Sequence, residues 1–493
     1  MSRSIQLVVA WCAALAFATL AVAQDAQTIE QQLADQRAKL EQLEKQLQEV
    51  KAGQLAKSAE TKKEVENNKV KLSLEYDGGF KMFSPDKRFL FQVTGRIQAD
   101  AQARLAGKNR NHGASSINGF KERRTYLGVR GVLYKYWTFT LSGEYEGGTV
   151  RSDTSNYVGT TYIPNTEIRI GQDSVPFTLE GETSNNDVKP IERSMIVNFV
   201  SPFYNQGLRV NGSYFDGRVN VFAMLGNGNE TERSDNDDDK IAWGRLVLLP
   251  FKTSDNKWIK KIHLGVSGGI GNQDRLAPGL DGGTTVSTAP GTPVIAYDPG
   301  VTYDGDSQRA AAEAAWHVGP FGIWGEYIWY SQDLRNGTTG DPRGAFSRLQ
   351  TAEFTGGEVT VAYLLTGEDM TFGTVVPKNN FEPGHPDSGP GAWELVARYD
   401  WVKVERGDTS LFIGGLNVGG PDFVRKPERV EQVMAGVNWY PNPAVKVSLQ
   451  YQRAWWSHGV GEGAVSAAPA PAVGSPKQPK NQDTLMMRVQ IKF

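Results

Sequence analysis

From Phe89 to Leu105 the odd positions are Phe89, Phe91, Val93, Gly95, Ile97, Ala99, Ala101, Ala103 and Leu105, while the even ones include Gln92, Thr94, Arg96, Gln98, Asp100, Gln102 and Arg104. A period of two puts successive side chains on opposite faces of an extended strand, so one face is apolar and the other is hydrated. The segment Asn481 to Phe493 repeats this, with Leu485, Met487, Val489, Ile491 and Phe493 alternating against Thr484, Arg488, Gln490 and Lys492. Similar runs recur between them, and counting both ends gives about sixteen, an even number as a closed bacterial barrel requires. Links are short at Pro164-Asn165, Asp216-Gly217, Gly319-Pro320 and Pro441-Asn442. They are long at Ser174 to Asn205, Asn272 to Ser307, Gly407 to Glu428 and Ser457 to Lys480. Tight turns on one side and long loops on the other predict an all-β transmembrane antiparallel barrel. Glu368 to Pro390 departs from that rhythm: it is long where a short turn is due. Either it is an ordered periplasmic excursion or the strand count is off by a pair there.

The first residues fit this picture. Arg3, the apolar run Ile5 to Ala18 and Ala21-Val22-Ala23 before Gln24 form an export signal with a small-x-small cleavage site, predicting a mature start at Gln24. Beyond it no apolar window is long enough for a membrane helix, so an exported protein that spans a membrane must use strands. Between Gln24 and about Asn67 aromatics and proline vanish and Gln, Glu, Lys and Leu dominate. Ile29, Gln36, Leu43 and Val50 share one heptad position; Leu33, Leu40 and Leu47 share the other, predicting a short α-helical coiled coil or a solvated linker. The domains are thus a signal over 1–23, a periplasmic helical segment and linker over 24–67, and the barrel over 68–493.

Composition narrows the partners. The formal charge is −2, and loss of Arg3 makes it −3, so bulk charge gives no reason to expect nucleic acid. Any charge selectivity must be local. Cys12 is the single cysteine and lies in the signal, which leaves no disulfide framework or thiolate metal site. His112, His263, His317, His385 and His458 lack metal-ligand spacing. Gly265-Val266-Ser267-Gly268-Gly269 matches a nucleophile-elbow pattern, yet it lies inside an alternating strand with no helix after it. The expectation is no enzyme, no cofactor and no metal. Asp235, Asp237, Asp238 and Asp239 could offer oxygens to Ca²⁺, but the glycine and glutamate of a calcium loop are missing, which favours a solvated loop.

Strand parity places Arg96, Arg124, Arg130, Arg169, Arg209, Arg218, Arg245, Arg309, Arg398 and Arg488 on lumenal faces. The same faces carry Asp100, Glu122, Glu144, Glu146, Glu313, Glu326, Glu394 and Asp400. Guanidinium groups stay charged and bind oxyanions bidentately, so the arginines form either an anion ladder or half of a set of ion pairs.

GRIQADA at Gly95, ERRTYLGVRG at Glu122, IRIGQDSVPFTLE at Ile168, YLLTGED at Tyr363, GAWELVARYD at Gly391 and VNWYPNPAVKVSLQY at Val437 resemble the phosphate-selective porin O/P family, from about Lys71 onward. The resemblance implies a sixteen-stranded trimeric porin of the outer membrane, with a third outer loop folded inward and lumenal basic residues that lead anions through. It places Thr183, Ser184, Lys189 and Arg193 on that loop. The family's arginine-rich outer loop is replaced here by the acidic Asn227 to Lys240, with Arg233 its only arginine. The implied function is therefore passive diffusion, anion-preferring with phosphate or a related anion as solute. A general porin without phosphate specificity, or a barrel-anchored tether or adhesin using the coiled coil and outer loops, are the alternatives. Expected partners are outer-membrane lipid, lipopolysaccharide, small anionic solutes and two further copies of the chain.

Overall fold

The computed structural model describes residues 37–51, 73–76, 79–106, 118–146, 149–151, 154–228, 238–276, 285–287, 293–296, 301–336, 349–406, 429–456 and 481–493. The signal, Ile29, Leu33, Gln36 and most of the acidic run at 229–237 lie outside them. Two units divide near Lys71. In the first, residues 37–51 are helical, and Leu40, Leu43, Leu47 and Val50 are all exposed.

In the second unit, sixteen antiparallel strands among the described residues close on themselves. They are β1 (Leu90–Ala106), β2 (Gly119–Leu133), β3 (Trp137–Glu146), β4 (Asn156–Thr160), β5 (Thr166–Ser174), β6 (Tyr204–Tyr214), β7 (Val219–Gly226) and β8 (Ile241–Leu248). The ring continues through β9 (Lys261–Leu276), β10 (Val301–Val318), β11 (Phe321–Asn336), β12 (Leu349–Leu364), β13 (Ala392–Arg406), β14 (Arg429–Asn442), β15 (Val445–Trp456) and β16 (Asn481–Lys492). Each pairs with its neighbour, and β16 returns to β1 through Arg488↔Asp100 and Lys492↔Arg96. All sixteen alternating runs of the sequence are strands.

Leu127, Leu141, Ile170, Leu208, Leu225, Val266, Ile270, Leu449 and Val489 are exposed on the outer wall, while Gln98, Asp400, Gln432 and Asn438 on the inner wall are buried. This inversion of a soluble protein is what a lipid-facing belt around a filled interior produces. The rim holding the links 134–136, 215–218, 319–320 and 443–444 carries the short turns and is periplasmic. A small hairpin, Ser73–Tyr76 and Phe80–Phe83, pairs with the start of β1 below β16. Here Phe493 N–H donates to the Gly95 carbonyl at 3.0 Å and its carbonyl accepts from Gly95 N–H at 2.6 Å. The Phe493 ring lies where a Gly95 side chain would be. Gly95→Leu therefore displaces that ring from the seam and from Phe80, a misfit of about 1–3 kcal/mol. Less of the variant should run as the compact form on an unheated gel.

One strand departs from simple parity. Gln98 faces Arg124 but Ala99 faces Glu122, so Arg123 is the extra residue of a β-bulge. The bulge turns Glu122, expected on the lumenal face, onto the outward face that Ala99 shares. It also sends Arg123 inward.

The 365–391 connection is an ordered excursion of the periplasmic rim, not a lost pair of strands. Lys378 N–H and Thr366 Oγ1 bond the Glu368 carboxylate, and Phe381 N–H donates to Pro441 O at 2.7 Å. Met370 and Val375 are buried with Leu179, Ala315, Trp324 and Tyr440. Phe372 packs on His317, with ring centroids 4.4 Å apart.

Candidate functional site

Residues 175–203 link β5 to β6 and carry the short helices Leu179–Glu182 and Met195–Val200. Two forces hold this loop against the inner wall. Phe177, Ile196, Phe199 and Val200 bury into an apolar patch formed by Trp243, Ile328, Tyr330, Phe354 and Val402, strand residues that face inward. Polar stitches run to distant strands. Leu179 and Glu180 N–H groups donate to the Glu326 carboxylate at 2.6 and 2.9 Å, satisfying donors that the first helical turn leaves open. Met195 N–H donates to Asp400 at 3.1 Å, and Ile191 N–H donates to Gln450 at 2.8 Å.

Three guanidinium groups converge on Glu192. Arg123 Nε and Arg124 Nη2 approach its carboxylate at 2.9 and 3.1 Å, and Arg488, which also grips Asp100 at 2.7 Å, bonds it from β16. Burial would raise the Glu192 pKa; the three cations outweigh it and hold the carboxyl well below the usual carboxylate range. On the far wall Arg398 pairs with Glu180 at 3.1 Å and Asp400 at 3.0 Å, and Arg245 pairs with Glu313 at 2.6 Å. There Glu313, Glu326, Glu358 and Asp400 face one another across β10 to β13. Like charges in direct register oppose pairing, and this wall tolerates them beside Arg245, Arg398 and the loop's N–H donors.

The loop tip also meets the periplasmic excursion. Lys189 donates to the Gly373 carbonyl at 3.3 Å, Thr374 to Asp187 at 3.2 Å, and Lys492 reaches Asp187 at 2.9 Å. Lys446, fully enclosed, donates to the carbonyl of Val188 at 2.7 Å.

The structure sorts the expected site residues into groups. Arg96, Arg209, Arg245 and Arg398 are buried and each has a carboxylate within ion-pair distance: Glu144, Glu182, Glu313 and Asp400 respectively. Arg124 joins the Glu192 cluster. Arg169 pairs with Glu167 and Asp173 at 2.7 and 2.9 Å. Arg130 is exposed and donates to Gln92 at 2.9 Å. Arg218 lies just before β7 at the rim and donates to Phe215 O. Arg309 is packed between the rings of Trp243 and Tyr330. On the loop, Ser184 is exposed, Thr183 bonds Leu179 O, and Arg193 bonds the carbonyls of Glu180 and Thr183. Thr183 and Arg193 thus shape the loop from within, whereas Lys189 crosses to the excursion.

Sequence reading missed Glu192, Asp187 and Arg123. The first two lie in a loop without periodicity, Glu192 between Lys189 and Arg193, and Arg123 is lumenal only because of the bulge. A doubled arginine in an alternating strand was the available signal.

A closed barrel with an apolar outer belt and a charged, loop-crossed lumen defines an outer-membrane porin. Residues 91–455 match the family "Phosphate-selective porin O and P", and the chain belongs to that family. It is 27% identical over 408 residues to Porin O of Pseudomonas aeruginosa, covering 76% of this chain and 85% of that protein. Among solved structures it is similar to Pseudomonas putida OprB, with TM-score 0.50 and 11% identity over 82% of this chain and 94% of the other. An anion-selective porin from Comamonas acidovorans gives 0.49 and 11%, covering 82% of this chain and all of that one.

Proposed function

We propose that the chain is a passive channel preferring small anions, phosphate or a related oxyanion among them, with its lumen narrowed by the 175–203 loop and the 365–391 excursion together. The observation that carries this reading is which charges keep water. Glu180, Glu313, Glu326, Glu358, Glu394 and Asp400 are sealed in the wall or under the loop, and Glu167, Glu144 and Glu182 keep 19%, 14% and 13% side-chain exposure, whereas Arg123 and Arg169 keep 29% and 22% and Arg130 is exposed beside a neutral partner. Acids that anchor a loop are removed from the aqueous path, and the cations left on it set the local field. The family description supports a phosphate-related solute. The acidic run before Lys240 favours a broader anion range.

Arg130, with a neutral partner, is the best single test. Arg130→Glu should move the reversal potential in a KCl gradient toward cations at low salt. The shift should shrink near 1 M, where the Debye length is about 3 Å. An unchanged potential at low salt would leave a general porin without anion preference.

The reading extends to assembly. The barrel forms a trimer in contact with outer-membrane lipid and lipopolysaccharide, and residues 24–67, freed of a 1–23 signal, form a periplasmic coiled coil up to about Val50 and a linker into the barrel. The exposed seam Leu40, Leu43, Leu47 and Val50 supports this, since an apolar stripe on a lone helix wants a partner. Replacing Leu33, Leu40 and Leu47 with Ser should abolish that helical signal and leave a heat-modifiable barrel oligomer on an unheated gel. An unchanged helical signal would show that the seam is not a core. A soluble monomer without detergent would end the porin reading itself.

A further inference from the structure

The outer wall holds a recess of about 620 Å³ near the periplasmic rim. Its lining includes Ala314 on β10 and Gly325 on β11, which pair directly and put almost no side chain on the outward face. Around them stand Leu264, Trp316, Ile323 and Val359, and the rim connection 249–260 adds Trp258 and Ile259. The aromatic wall is fixed: Trp316 Nε1 donates to Trp258 O at 2.6 Å, the two indoles stack at 6.5 Å, and Phe321 meets Trp316 edge-on at 5.8 Å. Membrane-interface tryptophans are common on barrels. A recess of small residues behind them is a separate feature.

The charge at its mouth says what would fill it. Lys257 and Lys260 bracket Trp258 and Ile259, and Lys252 precedes them; all three are exposed, and among the described residues none has a carboxylate within ion-pair distance. Lys261 instead pairs with Asp369 at 3.6 Å and donates to Met370 O, which ties the connection to the excursion. Asp255 is the only acid between Lys252 and Lys261. We infer that this recess binds one anionic phospholipid of the inner leaflet, with an acyl chain against Ala314, Gly325 and the two indoles and its phosphodiester between Lys257 and Lys260. Clustered lysines next to a membrane attract anionic lipid electrostatically, and the apolar recess gives the chain a fixed place.

The test is tryptophan quenching in vesicles containing dibrominated phosphatidylglycerol or dibrominated phosphatidylcholine at equal mole fraction. Quenching that disappears in a Trp258→Phe, Trp316→Phe variant belongs to the recess. The lysine-bracketed site predicts severalfold tighter apparent association of the glycerol lipid. Lys257→Gln with Lys260→Gln should bring that ratio to about one, with channel conductance and heat-modifiability unchanged. Ala314→Phe, which fills the recess but keeps both lysines, should weaken quenching by both lipids. Equal quenching of the unmodified protein by the two lipids would reduce the recess to general lipid contact and overturn the inference. So would selectivity that survives the double lysine substitution. Protection of both indoles from either lipid in the oligomer would also overturn it, since a second copy would then cover the recess.

Discussion

Deleting Thr183 to Ser194 should raise single-channel conductance severalfold. That stretch contains the tip that meets the excursion and the Glu192 knot, so its removal takes away the polar half of the loop. The apolar half, with Phe177, Ile196 and Phe199, keeps its seat on Trp243, Tyr330 and Phe354. Arg398 retains Asp400 and Glu180, and Arg488 retains Asp100, while Arg123, Arg124 and Lys446 exchange their loop partners for water in the opened lumen. The barrel should therefore fold, with a wider lumen. Unchanged conductance in a planar bilayer would assign the narrowing to the 365–391 excursion instead.

Glu192→Gln should loosen the loop and strengthen anion preference at once. Three guanidiniums share two carboxylates, Glu192 and Asp100. Neutralising one leaves an uncompensated positive cluster beside the pore, and breaking such a buried set costs on the order of 3 kcal/mol. The compact band on gels should convert at lower temperature, and the reversal potential should move toward anions. The pH dependence has a definite sign. Because the folded Glu192 pKa is depressed, its contribution is present above the ordinary carboxylate pKa and is lost only as pH falls through the lower folded value. The difference in conversion temperature between the two proteins should thus persist from neutral pH to about pH 5. A difference that vanishes by then would mean the cluster does not anchor the loop.

The strands were legible because every spanning segment must show lipid one face and the lumen the other, and that constraint writes a period of two along β1 and β16 alike. It has no grip on residues 175–203, whose positions are fixed by contacts with strands far away in the chain. Hence Arg96 and Arg398 could be placed on the inner wall, but Glu144 and Asp400 could not be matched to them. The bulge at Arg123 shows the other limit. One inserted residue resets parity, and only its strand partner, Ala99, reveals the slip. The excursion at 365–391 was visible as an anomaly in loop length; its entry into the interior rests on Met370, Phe372 and Val375, a spacing that fits no regular element.

The stitches of the loop also set an order of events. Ile191 alone bonds Gln450 and Arg488, at separations of 259 and 297 residues, and Arg488 belongs to the strand that completes the ring. Its partners do not exist as a surface until β16 has joined β1. Contacts of such long range form late, since chain closure must come first. The loop's seat therefore depends on ring closure, and until the loop settles on it the lumen has neither its stitches nor its final bore. A barrel stalled at that stage would leak rather than select.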